Sequence, residues 1–190
     1  MKRALLVGLL YWLPPDASAH RLDEYLQVTR VSVATNRVDL SIDLTPGVAV
    51  ADQVLSAIDT DHDGEISGKE AAVYAERVFS DLKVRLDRKL MTLTVTEASF
   101  PAIPEMKAGV GVIRLKASAP IERLSKGSHA LSFTNIHLPA ISVYLVNALT
   151  PKDRTIAITK QTRDEFQKDY RLEFVLLRGP VDKKIGTINR

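Results

Sequence analysis

The most regularly spaced group of polar residues in the sequence is a short acidic run in the first half of the chain. It reads Asp59-Thr60-Asp61-His62-Asp63-Gly64-Glu65-Ile66-Ser67-Gly68-Lys69-Glu70. Oxygen-bearing side chains recur at alternate positions, a glycine stands in the middle and a glutamate closes the run. Calcium is a hard cation that takes about six to eight oxygen ligands from loops with this spacing. The run therefore predicts a calcium-binding loop.

At every position this run resembles the loop of the EF-hand calcium-binding family, here as a single hand. The resemblance implies a set of metal ligands, namely Asp59, Asp61, Asp63, Glu65, Ser67 and Glu70. Glu65 would contribute its backbone carbonyl, Ser67 its hydroxyl or a water, and Glu70 both carboxylate oxygens. Gly64 permits the positive φ of the turn, which a side chain would oppose. The cofactor implied is Ca²⁺.

The residues on both sides of the run have helical spacing, which predicts helix, loop and helix over roughly residues 48–83. The apolar positions are Val50, Val54 and Ile58 before the loop, and Ala71, Ala75, Val78 and Leu82 after it. The alternative is a polar turn between two helices, since acidic residues and glycine are common in turns. EF-hands normally pair near the position of Ile66, so Ile66 in a solitary hand needs another partner, and we expect the β domain to supply it.

The rest of the chain alternates apolar and polar residues, which predicts a mainly β protein. Residues 24–45 indicate a hairpin with Asn36 in its turn. Later strands are expected at residues 84–86, 90–98, 110–117, 130–134, 141–149, 155–159 and 170–177, with a loop at 101–107. This number of short strands favours an immunoglobulin-like β-sandwich. The expected organisation is a first hairpin at 20–46, an inserted EF-hand at 47–83 and the remainder of the sandwich at 84–190.

Residues 1–19 have the pattern of a secretory signal peptide. Lys2 and Arg3 precede a short apolar segment, and Ala17-Ser18-Ala19 matches the small-residue pattern that precedes cleavage. About ten apolar residues cannot cross a bilayer core, which argues against a membrane anchor. Cleavage after Ala19 would leave His20 as the first residue of a periplasmic or secreted protein without a membrane span.

Composition narrows the functional classes. The chain has 190 residues, no cysteine and a net charge of +3 that is not concentrated in a basic stripe. Cysteine nucleophiles and thiolate metal sites are excluded, and nucleic acid is a poor candidate partner. The sequence lacks the short motifs of serine hydrolases, zinc proteases and phosphate-binding loops. We therefore expect a protein that is not an enzyme.

A second interpretation uses His20, because an N-terminal histidine can chelate Cu or Ni through its amine and imidazole. It predicts a periplasmic transition-metal-binding protein or an accessory protein for metal transport. Residues 19–26, 43–47 and the acidic loop also resemble a group of uncharacterised exported bacterial EF-hand proteins. Their β domain is similar to the extracytoplasmic part of HupE/UreJ-type membrane proteins, which implies a link to nickel and cobalt handling.

The first interpretation gives the loop a role in the β domain. Calcium would stabilise or regulate a β-sandwich interaction domain whose protein partner the sequence does not identify. Stabilisation is favoured over sensing, because exported calcium sites face nearly constant calcium concentrations.

Overall fold

The structure, a computed structural model, describes residues 23–122 and 124–177. The predicted mainly β class is confirmed, with 47% strand and 16% helix arranged around two β-sheets. The predicted signal peptide, its cleavage site and His20 lie outside the described residues.

The described part of the chain contains ten strands and three helices. The strands are β1 (Tyr25–Val33), β2 (Arg37–Pro46), β3 (Leu82–Leu86), β4 (Lys89–Leu90), β5 (Thr94–Ser99), β6 (Ile113–Pro120), β7 (Gly127–Asn135), β8 (Ser142–Ala148), β9 (Ile156–Arg163) and β10 (Asp169–Leu176). The helices are α1 (Ala51–Ser56), α2 (Gly68–Ser80) and α3 (Ile103–Lys107).

The strands form two five-stranded sheets. Sheet one has the order β5-β6-β2-β1-β8, and sheet two has the order β4-β3-β7-β10-β9. Neighbouring strands are antiparallel except for β1 and β8, which pair in parallel from Tyr25↔Ser142 to Val31↔Ala148. Strand β8 therefore pairs with the first strand of the chain, although the strands between them in sequence belong to both sheets.

The hairpin of β1 and β2 shows why the alternating sequence forms a half-buried sheet. Its register runs from Tyr25↔Pro46 to Val33↔Val38, with Asn36 in the connection as predicted. Alternate residues of both strands are buried, including Val31, Leu40 and Ile42. Successive side chains of a strand point to opposite faces, so one apolar residue in two suffices to cover the core.

The helical segment lies between β2 and β3, which belong to different sheets. Strand β2, before this segment, pairs with β6, after it. Helix α2 packs on β3 and β5, and α1 packs on α3. The acidic loop is therefore attached to the sandwich by helices on both of its sides.

Three local predictions were wrong. The strand expected at 90–98 is divided, because β4 pairs only briefly with β3 and the chain then crosses to sheet one as β5. The loop expected at 101–107 contains α3, whose Pro104 lies in the first helical turn, where proline is well tolerated. Leu82 fits the helical stripe of α2, yet it begins β3 opposite Asn135.

The free edge of β8 is covered by side chains from β9. Arg163 Nε donates to Val146 O at 2.7 Å, and Ala148 N donates to Gln161 Oε1 at 3.4 Å. Exposed strand edges are templates for pairing with other chains. These side chains occupy backbone groups that a further strand would need.

The helices of residues 23–122 and 124–177 are too short and too polar to cross a membrane.

Candidate metal site

The acidic loop, residues 59–70, connects the end of α1 to the first turn of α2. The last helical hydrogen bond before it runs from Asp59 N to Leu55 O at 2.8 Å. At its other end Ser67 is the N-cap of α2 and forms a capping box with Glu70. A capping box satisfies backbone N–H groups that a helix start would otherwise leave unpaired. Both ends of the loop are therefore fixed by local hydrogen bonds.

Three of the six predicted ligands come together. Asp59, Asp61 and Asp63 each place a carboxylate oxygen within 4.8 Å of those of the other two. Backbone N–H groups of the loop hold them there: Gly64 N donates to Asp59 at 3.2 Å, Asp63 N to Asp61 at 3.3 Å and Glu65 N to Asp63 at 2.9 Å. Gly64 has φ of +84°, as its predicted role requires.

Asp59 carries the most informative atom of the loop. The residue is only 9% exposed, and its Oδ1 has no hydrogen-bond partner. Within residues 23–122 and 124–177, it is the one buried side-chain oxygen or nitrogen in that condition. An unpaired buried acceptor costs about 1–3 kcal/mol, and more when it is charged. A cation is a partner well suited to a carboxylate oxygen that lies among other carboxylates.

Glu70 is placed differently from the three aspartates. Its Oε1 accepts from Thr60 N at 2.6 Å and Thr60 Oγ1 at 3.1 Å, and its Oε2 accepts from Ser67 N at 3.0 Å and Ser67 Oγ at 2.8 Å. These hydrogen bonds, that from the Ser67 backbone foremost, lower the pKa of Glu70 to about 2. Both oxygens of the Glu70 carboxylate are therefore bound to donors of the loop itself, and Glu70 does not belong to the cluster of Asp59, Asp61 and Asp63.

The remaining predicted ligands lie at the surface. Ser67 is exposed and its hydroxyl donates to Glu70, and the Glu65 side chain is exposed, which fits a role for its backbone carbonyl alone. The donors gathered here are all oxygens, mostly carboxylate, and hard cations such as Ca²⁺ prefer that set. The residues present therefore fit a calcium ion.

Ile66 packs against the hydrophobic core, as predicted for a hand without a second hand beside it. It lines a cavity of about 340 Å³ together with Phe100, Pro101 and Ile103. The β domain was the expected partner of Ile66, and the residues across this cavity belong to the segment that leads from β5 into α3.

A buried polar network at the other end of α2 was not predicted from the sequence. Tyr25 and Tyr74 share a hydrogen bond of 2.9 Å, Tyr74 Oη lies 3.1 Å from His137 Nε2, and His137 Nδ1 lies 2.8 Å from Asp81 Oδ2. The His137 carbonyl accepts from Gln27 and Tyr144, each at 2.9 Å. These residues come from distant parts of the chain, and no spacing rule relates them.

The direction of each hydrogen bond follows from the carboxylate of Asp81. The carboxylate can only accept, so His137 Nδ1–H donates to it and Nε2 accepts from the Tyr74 hydroxyl. Tyr74 in turn accepts from Tyr25. Burial lowers the pKa of His137 and outweighs the opposing effect of Asp81, so His137 is neutral.

His129 differs from His137 in that its hydrogen bonds favour the protonated form of the ring. Its Nδ1 lies 2.7 Å from Asp87 Oδ2 and its Nε2 lies 2.8 Å from Ser125 O, and both of these partners are acceptors. Both ring nitrogens donate only in the imidazolium form. Burial opposes that form, but the hydrogen bonds to Asp87 and Ser125 overcome it and raise the pKa of His129. His129 also borders a cavity of about 630 Å³ with Leu90, Met91 and Ile121.

The histidines considered for a transition metal are dispersed. His62 is exposed in the acidic loop with φ of +60°, and the ring nitrogens of His129 and His137 are occupied by the bonds above. The site with His20 stays a prediction, since His20 lies outside the described residues.

Comparison of the chain with protein-family models, with curated proteins and with solved structures finds no match.

Proposed function

We propose that the acidic loop binds one Ca²⁺ ion and that this ion stabilises the attached β-sandwich. The observation that carries the proposal is Asp59 Oδ1, buried and without a partner beside the carboxylates of Asp61 and Asp63. Among repelling carboxylates, a divalent cation supplies the missing interaction. The proposed ligands are Asp59, Asp61 and Asp63 together with the Glu65 carbonyl, Ser67 and Glu70.

The net charge of the loop supports a divalent cation. Residues 59–70 contain five acidic residues and one lysine, so their formal charge is −4. A bound Ca²⁺ would halve it. Calcium is preferred over magnesium because Mg²⁺ demands a near-ideal octahedron and gives up its water reluctantly, whereas Ca²⁺ accepts irregular sets of protein oxygens.

The attachment of α2 supports a stabilising role for the ion. Glu70 and Tyr74 lie one turn apart on the buried side of α2. The Tyr74 hydroxyl contacts Tyr25 of sheet one, and it contacts His137, which follows β7 of sheet two. An ion that holds the first turn of α2 would thereby hold a helix that is bonded to both sheets.

The cellular setting and the finer fold class are part of the proposal. The signal-peptide pattern of residues 1–19 supports export to the periplasm or the medium. Two mainly antiparallel sheets, between which the chain crosses several times, support an immunoglobulin-like sandwich with an inserted hand. Extracellular calcium modules have Kd of about 10⁻⁴–10⁻³ M, which suits such an environment.

Isothermal titration of the chain from His20 onward with Ca²⁺ and Mg²⁺ tests the proposal. We expect one calcium ion per chain, with Mg²⁺ bound more weakly. Asp59→Asn keeps the size of the side chain and removes its charge, so we expect loss of most of the calcium affinity. Asp39→Asn is the matched control, because Asp39 lies on β2 away from the loop and should leave binding unchanged. Absence of calcium binding to the wild-type chain at millimolar concentration would refute the proposal.

A further inference from the structure

Helix α3 borders the acidic loop on two sides. Ile103 lines both the cavity of about 340 Å³ beside Ile66 and a second cavity of about 390 Å³ beside Asp59 and His62. Gly64 borders both cavities as well. The loop's central turn thus faces the segment of residues 100–107 rather than open solvent alone.

Apolar contacts hold this segment in place. The Phe100 ring lies edge-to-face against Tyr74 of α2, with ring centroids 6.1 Å apart, and Met106 is fully buried. Gly111, just beyond α3, is packed closely enough that a Cβ would lie 2.7 Å from Met106 N. Because residues 100–107 are closely packed, they resist displacement.

The same segment, residues 100–107, ends in a positively charged residue. Lys107, the last residue of α3, lines the second cavity with Asp59, and its Nζ lies 3.1 Å from Asp52 Oδ1 of α1. The ion pair is largely exposed, so it adds little stability. It does, however, place a cationic residue on the lining of the cavity that Asp52 and Asp59 also line, where its charge offsets part of the negative charge that would attract a cation.

From this arrangement we infer that residues 100–107 are the loop's partner within the chain and set its calcium affinity. The apolar side of the segment, through Ile103, holds the loop in the arrangement that binds, and Lys107 lowers the affinity by charge repulsion. The inference rests on the proposed calcium site and names what regulates it.

The charge is tested with Lys107→Met, which keeps the length of the side chain. We expect calcium affinity to rise by about two- to fivefold at low ionic strength, and this gain to shrink in high salt, because exposed charges are screened. Lys107→Arg should leave the affinity unchanged. Lys116→Met is the matched control, since Lys116 forms a similarly exposed ion pair with Glu97 on sheet one.

The apolar contact is tested with Ile103→Ala against Ile158→Ala, since both isoleucines are partly buried against the core. If the segment holds the loop in its binding arrangement, Ile103→Ala lowers the fraction of competent loop and weakens calcium binding by about three- to tenfold. Ile158→Ala, in β9, should leave the affinity unchanged. Circular dichroism of each variant verifies that it folds.

The outcomes separate this inference from the calcium proposal. Wild-type chain without calcium binding refutes the calcium site itself. Wild-type binding with equal affinities in Lys107→Met and Lys116→Met, or in the two alanine variants, refutes only the role of residues 100–107. Calcium-dependent dimerisation in sedimentation velocity would also overturn it, because a second copy would then be the loop's partner.

Discussion

The two ends of helix α2 differ in how completely their polar groups are paired. At its C-terminal end, Tyr74, His137 and Asp81 form a buried chain in which each donor meets an acceptor. At its N-terminal end, three aspartates converge and Asp59 Oδ1 has no partner. Helix α2 thus connects a polar network whose donors and acceptors are paired with a cluster of carboxylates in which one oxygen is unpaired. The paired network is called the complete end below, and the carboxylate cluster the incomplete end.

We expect the paired network to have a structural role and the acidic loop, as proposed, to bind a cation. A paired buried network stabilises and rigidifies the fold without any ligand. A buried carboxylate oxygen that is left unpaired among other carboxylates destabilises the fold, and a bound cation would relieve that cost. Removing a polar group should therefore have opposite effects at the two ends of α2, and the following experiments test that contrast.

The largest expected effect is at the complete end. His137→Ala leaves the Asp81 carboxylate without its partner and the Tyr74 hydroxyl without its acceptor, and it opens a cavity, so the free energy of unfolding should fall by about 3 kcal/mol. Urea denaturation measures it. The loss should be the same in calcium and in EDTA. Tyr25→Phe, which removes only the terminal hydroxyl, is a milder control with an expected loss of about 1 kcal/mol.

The incomplete end should respond to calcium. A ligand at a hundredfold excess over Kd that binds only the folded state adds about 2.7 kcal/mol to the free energy of unfolding. We expect that gain in the wild type and its absence in Asp59→Asn. In EDTA, Asp59→Asn should be at least as stable as the wild type, because it removes an unpaired buried charge. A clear loss in EDTA would mean that Asp59 is already satisfied without an ion.

The two buried histidines should give pH dependences of opposite sign. The pKa of His137 is lowered in the folded state, so the stability it confers is lost as pH falls below the ordinary histidine value of 6.5, where the unfolded chain takes up a proton. The pKa of His129 is raised, so its contribution is present below 6.5 and is lost as pH rises through the folded value.

Urea titrations of His129→Gln and His137→Gln between about pH 6 and about pH 8 measure this difference. The cost of His129→Gln should be greater at the lower pH, and that of His137→Gln should be greater at the higher pH. If the loss of free energy of unfolding changed with pH in the same way in both variants, the assigned protonation states would be contradicted.

The smallest effect is expected from an exposed ion pair that belongs to neither end of α2. Lys116 and Glu97 lie 2.7 Å apart, yet both side chains are 51% exposed. Lys116→Met should change the free energy of unfolding by less than about 1 kcal/mol, with a smaller change at high salt. This value sets the baseline against which the losses at Asp59 and His137 are compared.

Local patterns in the sequence predicted local features well. Alternation in β1 and β2 sets their shared register, and the acidic spacing places three aspartates around one point, because both depend on residues close in the chain. Glycine at position 64 was identified by the same reasoning, and its positive φ is observed.

Features that depend on distant residues were not accessible to this reasoning. The division of residues 90–98 between two sheets depends on which strands lie beside them, namely β3 and β6. The pairing of Tyr74 with His137 joins positions 63 residues apart. Glu70 fits a metal ligand by spacing, but it also fits the capping box that it forms with Ser67, and spacing alone does not rank the two roles.

The parallel pairing of β1 with β8 has a consequence for how the protein folds. β1 and β2 are adjacent in the chain, so their hairpin closes a loop of a few residues and can form within microseconds. Tyr25 and Ser142, opposite each other in the parallel pair, are 117 positions apart, and the acidic loop and all of α2 lie between them. Distant pairing pays its loop-closure entropy before it gains contacts, so this pair closes late. We therefore expect the hairpin of β1 and β2 to form before β8 pairs with β1.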